Sequence, residues 1–102
     1  MKVLGSAPPP RLEKYASAVL HDEPNVRVVA FRLEPGQVVP AHTSPSTVLV
    51  HVIAGAGTFV GSGSRAELRA GESALYQPAE PHSITASSDG IAFLAVITPR
   101  PS

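Results

Sequence analysis

The sequence predicts an all-β domain, and three observations carry that prediction. Eleven prolines and eight glycines cut 102 residues into short pieces, so no interval is long enough for a large helical unit. Between the breaks lie runs of branched residues such as Val26–Leu33 and Val48–Ile53, which favour extended, paired backbone. There is no alternation of strand and helix and no repeat of fixed period. Parallel α/β architectures and solenoids therefore fall away, leaving a sandwich or barrel.

Composition narrows the function classes. A chain of this length forms one domain and buries roughly 65% of the surface its unfolded form exposes. With 43% hydrophobic and 16% charged residues, it is globular rather than disordered. Eight basic residues balance eight acidic ones and form no basic stripe, which argues against a nucleic-acid partner. A net charge of zero leaves self-association open. The absence of cysteine excludes disulfides, thiolate zinc sites and a cysteine nucleophile, and fits a reducing compartment. The opening MKVLGSAPPPRLEK lacks the apolar core of a secretory signal, and no apolar run approaches the ~18 residues of a membrane helix. The expectation is a cytoplasmic protein without membrane contact.

Each element can be placed in order. Residues 1–25 read as an N-terminal arm and a first strand. The arm ends in the stiff Pro8-Pro9-Pro10 and is expected to be extended and loosely attached. Arg11–Leu20 reads as a helical turn or two, or as the approach to a strand at Ser17–His21. Residues 26–98 form the core. Val26–Leu33 is a strand closed by Glu34-Pro35-Gly36. Val48–Ile53 is a strand ended by a turn at Gly55-Ala56-Gly57, and Thr58–Val60 leads into a hairpin turn at Gly61-Ser62-Gly63-Ser64. Ala66–Leu68 pairs back, and Ser73–Gln77 stops at Pro78. His82–Ala86, a turn at Ser87-Ser88-Asp89-Gly90 and the apolar Ile91–Thr98 complete the core. Residues 99–102 are a tail.

Alternation divides the apolar residues between two faces. Val26, Val28, Val48, Val50, Val52, Phe93, Ala95 and Ile97 are the candidate lining and core. Phe31, Leu49, Ile53, Leu94 and Val96 fall on the opposite faces. Strands apolar on both faces need cover on both, which predicts a homodimer packed sheet to sheet.

Two segments carry the chemistry. The first, GQVVPAHTSPSTVLVHVIAG, runs from Gly36 through His42 to Gly55. The second, GESALYQPAEPHSITA, runs from Gly71 through Pro78 to His82 and on to Ala86. Their glycines, prolines and two histidines resemble, in order and spacing, the two motifs of the cupin superfamily. The resemblance covers about residues 26–98 and implies a small single-domain cupin, a double-stranded β-helix or jelly-roll barrel. A metal-binding cupin offers three histidines and a glutamate to a divalent ion. His42 stands at the first histidine position and His82 at the last, whereas Ser44 replaces the second histidine and Val48 the glutamate. The turn before His82 looks one residue shorter than usual, and Ala86 stands where an asparagine is common. The resemblance thus implies a reduced site at His42 and His82 for one divalent metal ion (Zn, Mn, Fe or Ni).

Alternation puts Ser44 on the face of His42 and, if the register holds past Pro45, Val48 and Val50 as well. Two neutral imidazoles without a carboxylate hold a divalent ion only loosely, unless Tyr76, Gln77, Glu80 or a ligand completes the shell. Three roles for the histidine pair stay open: a weak metal site, direct contact with an organic ligand, or hydrogen-bonded pocket groups. Ser44, Val48, Val50 and Tyr76 are the candidate ligand contacts, Tyr76 either packing or donating a phenolic hydrogen bond. The expected function is binding of a small, partly apolar molecule. A metal-dependent dioxygenase or isomerase and a structural or regulatory dimer domain are the alternatives. His51 alternates onto the outer face with Leu49 and Ile53, and His21 belongs at a solvent-exposed strand end. Asp22 and Glu23 are adjacent and point to opposite faces, so they form no acid–base pair. GAGTFVG lacks the ending of a phosphate loop.

Overall fold

The structure, a computed structural model, describes residues 1–101. Its strands are β1 (Ala16–Glu23), β2 (Val26–Leu33), β3 (Val38–His42), β4 (Thr47–Gly61), β5 (Ser64–Arg69), β6 (Ser73–Tyr76) and β7 (His82–Thr98). All pairings are antiparallel, and β4 and β7, of 15 and 17 residues, form the spine. The early part of β4 pairs with the late part of β7 (Thr47↔Thr98 to Gly55↔Ile91), and the late part of β4 with the early part of β7 (Gly57↔Ala86 to Val60↔Ser83). β1, β2 and β6 extend the first of these halves, and β3 and β5 extend the second. This is the jelly-roll expected from the resemblance.

The two glycine-rich segments expected as turns lie inside the spine. Between the pairs Gly55↔Ile91 and Gly57↔Ala86, β4 advances by 57 − 55 = 2 residues and β7 by 91 − 86 = 5. The extra residues form a bulge that bends both strands from one half of the barrel to the other. Gly55 and Gly90 both have positive φ, 72° and 71°. A Cβ on Gly55 would collide with the Gly90 carbonyl, so the bend needs glycine for both conformation and clearance. Periodicity reads such breaks as chain reversals, whereas here they are corners.

Val48, Val50 and Val52 face inward and are buried, while Leu49, His51 and Ile53 are exposed. Each buried valine contributes about 2 kcal/mol relative to exposure. On β2 the expected phase is reversed. Val29, Phe31 and Leu33 pair with Ala95, Phe93 and Ile91 of the inner wall, so Val26 and Val28 lie on the outer face. β2 is apolar on both faces, and alternation without polar contrast cannot set its direction. Phe31 stacks on Phe93 (ring centroids 4.8 Å apart), and Phe59 meets Phe93 edge-on at 5.5 Å.

Arg11–Leu20 contains no helix; β1 begins at Ala16. The arm is tied down rather than loose. Arg32 Nε donates to the Pro8 carbonyl at 2.8 Å, and Gln37 Nε2 donates to the Arg11 carbonyl at 2.8 Å. Of the tail, Ser102 lies outside the described residues. Residues 99–101 fold back onto the barrel. The Ser46 hydroxyl donates to the Pro99 carbonyl, the Arg100 amide donates to the Pro24 carbonyl at 3.2 Å, and the Arg100 guanidinium meets Asp22 at 3.3 Å. No helix among the described residues is long and apolar enough to cross a membrane.

Candidate functional site

β3 and the start of β7 bring the two motif histidines together. His42 and His82 are cross-strand partners, with ring centroids 4.1 Å apart and planes at 64°. A bulge between Val39 and His42 makes this possible. Val39 is buried in the core, and strict alternation over three residues would send His42 to the opposite face. Pro40, which has no ladder donor, sits in that bulge.

Both rings are oriented by the same device. His42 Nδ1 lies 2.8 Å from the Pro40 carbonyl, and His82 Nδ1 lies 3.0 Å from the Glu80 carbonyl. A carbonyl only accepts, so each Nδ1 carries a proton, and in the neutral imidazole Nε2 is then the acceptor. His82 is 5% exposed and stacks on Tyr76 with centroids 4.5 Å apart. Burial pushes its imidazole below the ordinary histidine value; the Glu80 carbonyl opposes this, and neighbouring His42 adds to the lowering.

The pair lines a cavity of about 290 Å³. Thr43 and Ser44 join them as the other polar lining. Val39, Val48, Val50, Phe31, Phe93 and Ala95 supply much of the apolar wall, and Pro45 and Pro101 are among the residues that complete it. Among the described residues, no Lys, Arg, Asp or Glu lines this cavity. Of the candidate ligand contacts, Ser44, Val48 and Val50 are brought to the wall with both histidines. Tyr76 is not; it stands behind His82, and its hydroxyl donates to the Val60 carbonyl at 3.2 Å. Burial, assisted by nearby Glu80, pushes the Tyr76 hydroxyl up to about 12. His51 faces outward and bonds Ser73 Oγ at 2.7 Å, while His21 lies beside Lys2 and Glu23.

Among the contributors that sequence reasoning missed, Phe31, Pro101 and Glu80 are instructive. Phe31 was hidden by the ambiguous phase of β2. Pro101 reaches the cavity only because the tail folds back, which no local pattern signals. Glu80 was weighed only as a metal ligand, whereas it holds the turn that orients His82. Its carboxylate accepts from the Gln77 amide at 2.9 Å and the Ser62 amide at 3.0 Å. Those two hydrogen bonds, from Gln77 and then Ser62, hold its carboxyl below the usual range. The only local signal was a carboxylate placed three residues after Gln77 in a proline turn.

The donor set does not fit the four-ligand metal site that the resemblance describes. Among the described residues, no third His, Asp or Glu gathers with His42 and His82. Glu80 and Tyr76 are engaged elsewhere, Val48 offers no donor, and a serine hydroxyl is a poor ligand for the metals imidazole favours.

The family model described as a cupin domain matches residues 29–98. The chain belongs to the cupin family. Solved structures agree on the fold. A cupin superfamily protein from Desulfitobacterium hafniense superposes with a TM-score of 0.83 at 14% identity, covering 97% of this chain and 100% of its own. An uncharacterized protein with a double-stranded β-helix domain from Klebsiella pneumoniae gives 0.82 at 26% identity, covering 89% and 82%. The DMSP lyase DddQ from Ruegeria pomeroyi gives 0.79 at 17% identity, covering 84% of this cupin and 47% of the lyase. Fold likeness at such identity carries no activity across. No curated protein matches the chain in sequence.

Proposed function

We propose that this cupin binds a small molecule in the cavity between β3, β4 and β7, with His42 and His82 among its polar lining. The observation that carries this reading is the division of one cavity into an apolar wall and a single cluster of hydrogen-bonding groups, the usual make-up of a small-molecule site. Val48 and Val50 contact the apolar body of the ligand and Ser44 its polar head, while Tyr76 acts by packing behind His82. The outer face with Leu49, Ile53 and Leu75, all partly exposed, is the surface for the expected homodimer.

An apolar probe tests the cavity directly. Benzene added to 15N-labelled protein is expected to shift the amide resonances of Val48, Val50, Phe93 and Ala95. Unmoved resonances at those positions would remove the cavity from consideration as a binding site.

A second reading has one observation in its favour. A ring whose Nδ1 donates to a carbonyl presents Nε2 as metal-ligating histidines do. A metal-dependent enzyme of dioxygenase or isomerase type would use His42 and His82 in that way, with a ligand completing the shell. Metal analysis of untagged protein decides between the two, run beside His42→Ala and His82→Ala. Near-stoichiometric Zn, Mn, Fe or Ni, lost in both variants, would favour the enzyme; its absence after reconstitution would leave direct binding.

A further inference from the structure

We infer that the ligand is a neutral molecule with an apolar, ring-sized body and a hydroxyl head that donates its proton to the paired imidazoles. The inference rests on the reading of the cavity as a binding site and specifies the chemical class that the site takes.

The polarity of the histidine pair is fixed from behind. Each Nδ1–H is engaged by a backbone carbonyl, of Pro40 at 2.8 Å and of Glu80 at 3.0 Å. The opposite tautomer would set a nitrogen lone pair against a carbonyl oxygen, so each ring, when neutral, accepts through Nε2. The buried His82 acceptor needs a donor from the ligand, because an unmatched polar group in an apolar wall costs the desolvation it does not recover, whereas the exposed His42 can also be met by water.

Charge excludes the usual anionic and cationic heads. No Lys or Arg lines the cavity to offset a carboxylate or phosphate, and no Asp or Glu to offset an ammonium group. Val48 stands where the resemblance puts a glutamate, which removes the one carboxylate the fold would be expected to place there. An unpaired charge in such a site is strongly disfavoured. A hydroxyl meets both requirements without charge. It gives its proton to an imidazole and accepts from Ser44, whose oxygen already accepts from the Ser46 amide at 3.2 Å and whose own proton remains to be given.

Size and wall chemistry set the body. A dry apolar cavity of about 150 Å³ takes up benzene, and this one is about 290 Å³. The stacked Phe31 and Phe93 rings contribute to its wall, which suits a flat or branched hydrocarbon. Phenol is the simplest member of the class.

The test compares benzene, phenol and benzoate, which share a ring and differ in the head, by NMR titration near pH ~8 with and without EDTA. At that pH an ordinary imidazole and phenol are both neutral. Phenol is expected to bind about tenfold more tightly than benzene, and benzoate most weakly, in both conditions. His42→Leu and His82→Phe should each lower the ratio of phenol to benzene affinity several-fold, whatever the change in wall shape does to benzene itself. If the buried His82 variant does not fold, the His42 variant and the wild-type series still decide. A failure of benzene to bind would overturn the cavity reading and this inference together. If benzene binds but phenol is no tighter, or benzoate is tightest, the inference falls while the cavity reading stands. A preference for phenol that disappears in EDTA would also overturn it, in favour of a metal-held head.

Discussion

His42 ends β3 in an exposed position and is held by one hydrogen bond to the Pro40 carbonyl; His82 opens β7, is 5% exposed, and is stacked on Tyr76. Both use a carbonyl two residues earlier in the chain, so the difference lies in what holds that carbonyl. Pro40 lies in an exposed bulge. Glu80 closes a turn in which its own amide donates to the Gln77 carbonyl at 3.1 Å and its carboxylate accepts from Gln77 and Ser62. The same turn reaches across the rim, where the Ala79 amide donates to the Ser44 carbonyl at 2.7 Å. One side of the histidine pair is thus held by several contacts, and the other by a single hydrogen bond. Preset groups lower the ordering cost of binding.

The largest effect should come from truncating the fixed side. His82→Ala removes a buried ring from between Tyr76 and His42 and should cost about 2 kcal/mol in urea unfolding. His42→Ala, at an exposed strand end, should stay within about 0.5 kcal/mol. Equal losses would break the comparison, because they would place His42 in the same packed environment as His82.

A smaller effect is expected from loosening the turn without touching the ring. Glu80→Gln leaves the carbonyl that orients His82 but weakens acceptance of the Gln77 and Ser62 amides, so the unfolding midpoint should fall by less than in His82→Ala. The pH dependence gives the sharper readout. The folded state holds the Glu80 carboxyl below its unfolded value. Its stabilisation is therefore complete above the unfolded value and disappears as pH falls through the lower, folded one. Subtracting the Gln variant's stability curve from that of the wild type should leave this acid-side loss alone, since the other carboxylates are common to both. A flat difference would show that the carboxylate does not carry the turn.

The contrast between the two histidines also separates what was legible in the sequence from what was not. The inward phase of β4 was readable because alternation carried on from His42 puts Val48 and Val50 on its face and His51 on the other. The phase of β2 was not, since Val26, Val28, Val29, Phe31 and Leu33 give no polar contrast. His42 and His82 stood out through motif spacing, and the structure makes them register partners. Their unequal support was invisible, because it depends on Ser62 and Gln77 meeting one carboxylate across 18 and 3 residues. Such side-chain-to-backbone contacts follow from the folded path rather than from local pattern. The tail is a similar case: Pro101 joins the cavity wall through contacts of its neighbours with Ser46, Pro24 and Asp22, all distant in sequence.

The smallest effect tests whether the turn that fixes His82 is itself under strain. Pro78 and Ala79 occupy its two central positions, and Ala79 has φ of 65°. Positive φ at the third residue of a proline-led turn is the arrangement that favours glycine. Alanine there costs about 1 kcal/mol or somewhat more, while glycine would lose about 0.4–1 kcal/mol through the greater freedom of the unfolded chain. The two nearly cancel, so Ala79→Gly should raise stability by only about 0.5 kcal/mol, read as a small rise in unfolding midpoint. Phenol affinity should not change, because the Glu80 carboxylate still closes the turn and its carbonyl still orients the imidazole. Weaker phenol binding at unchanged stability would instead mean that the rigid alanine, and not Glu80, sets the position of His82. The distinction between a more and a less firmly held histidine would then rest on backbone stiffness rather than on hydrogen bonding.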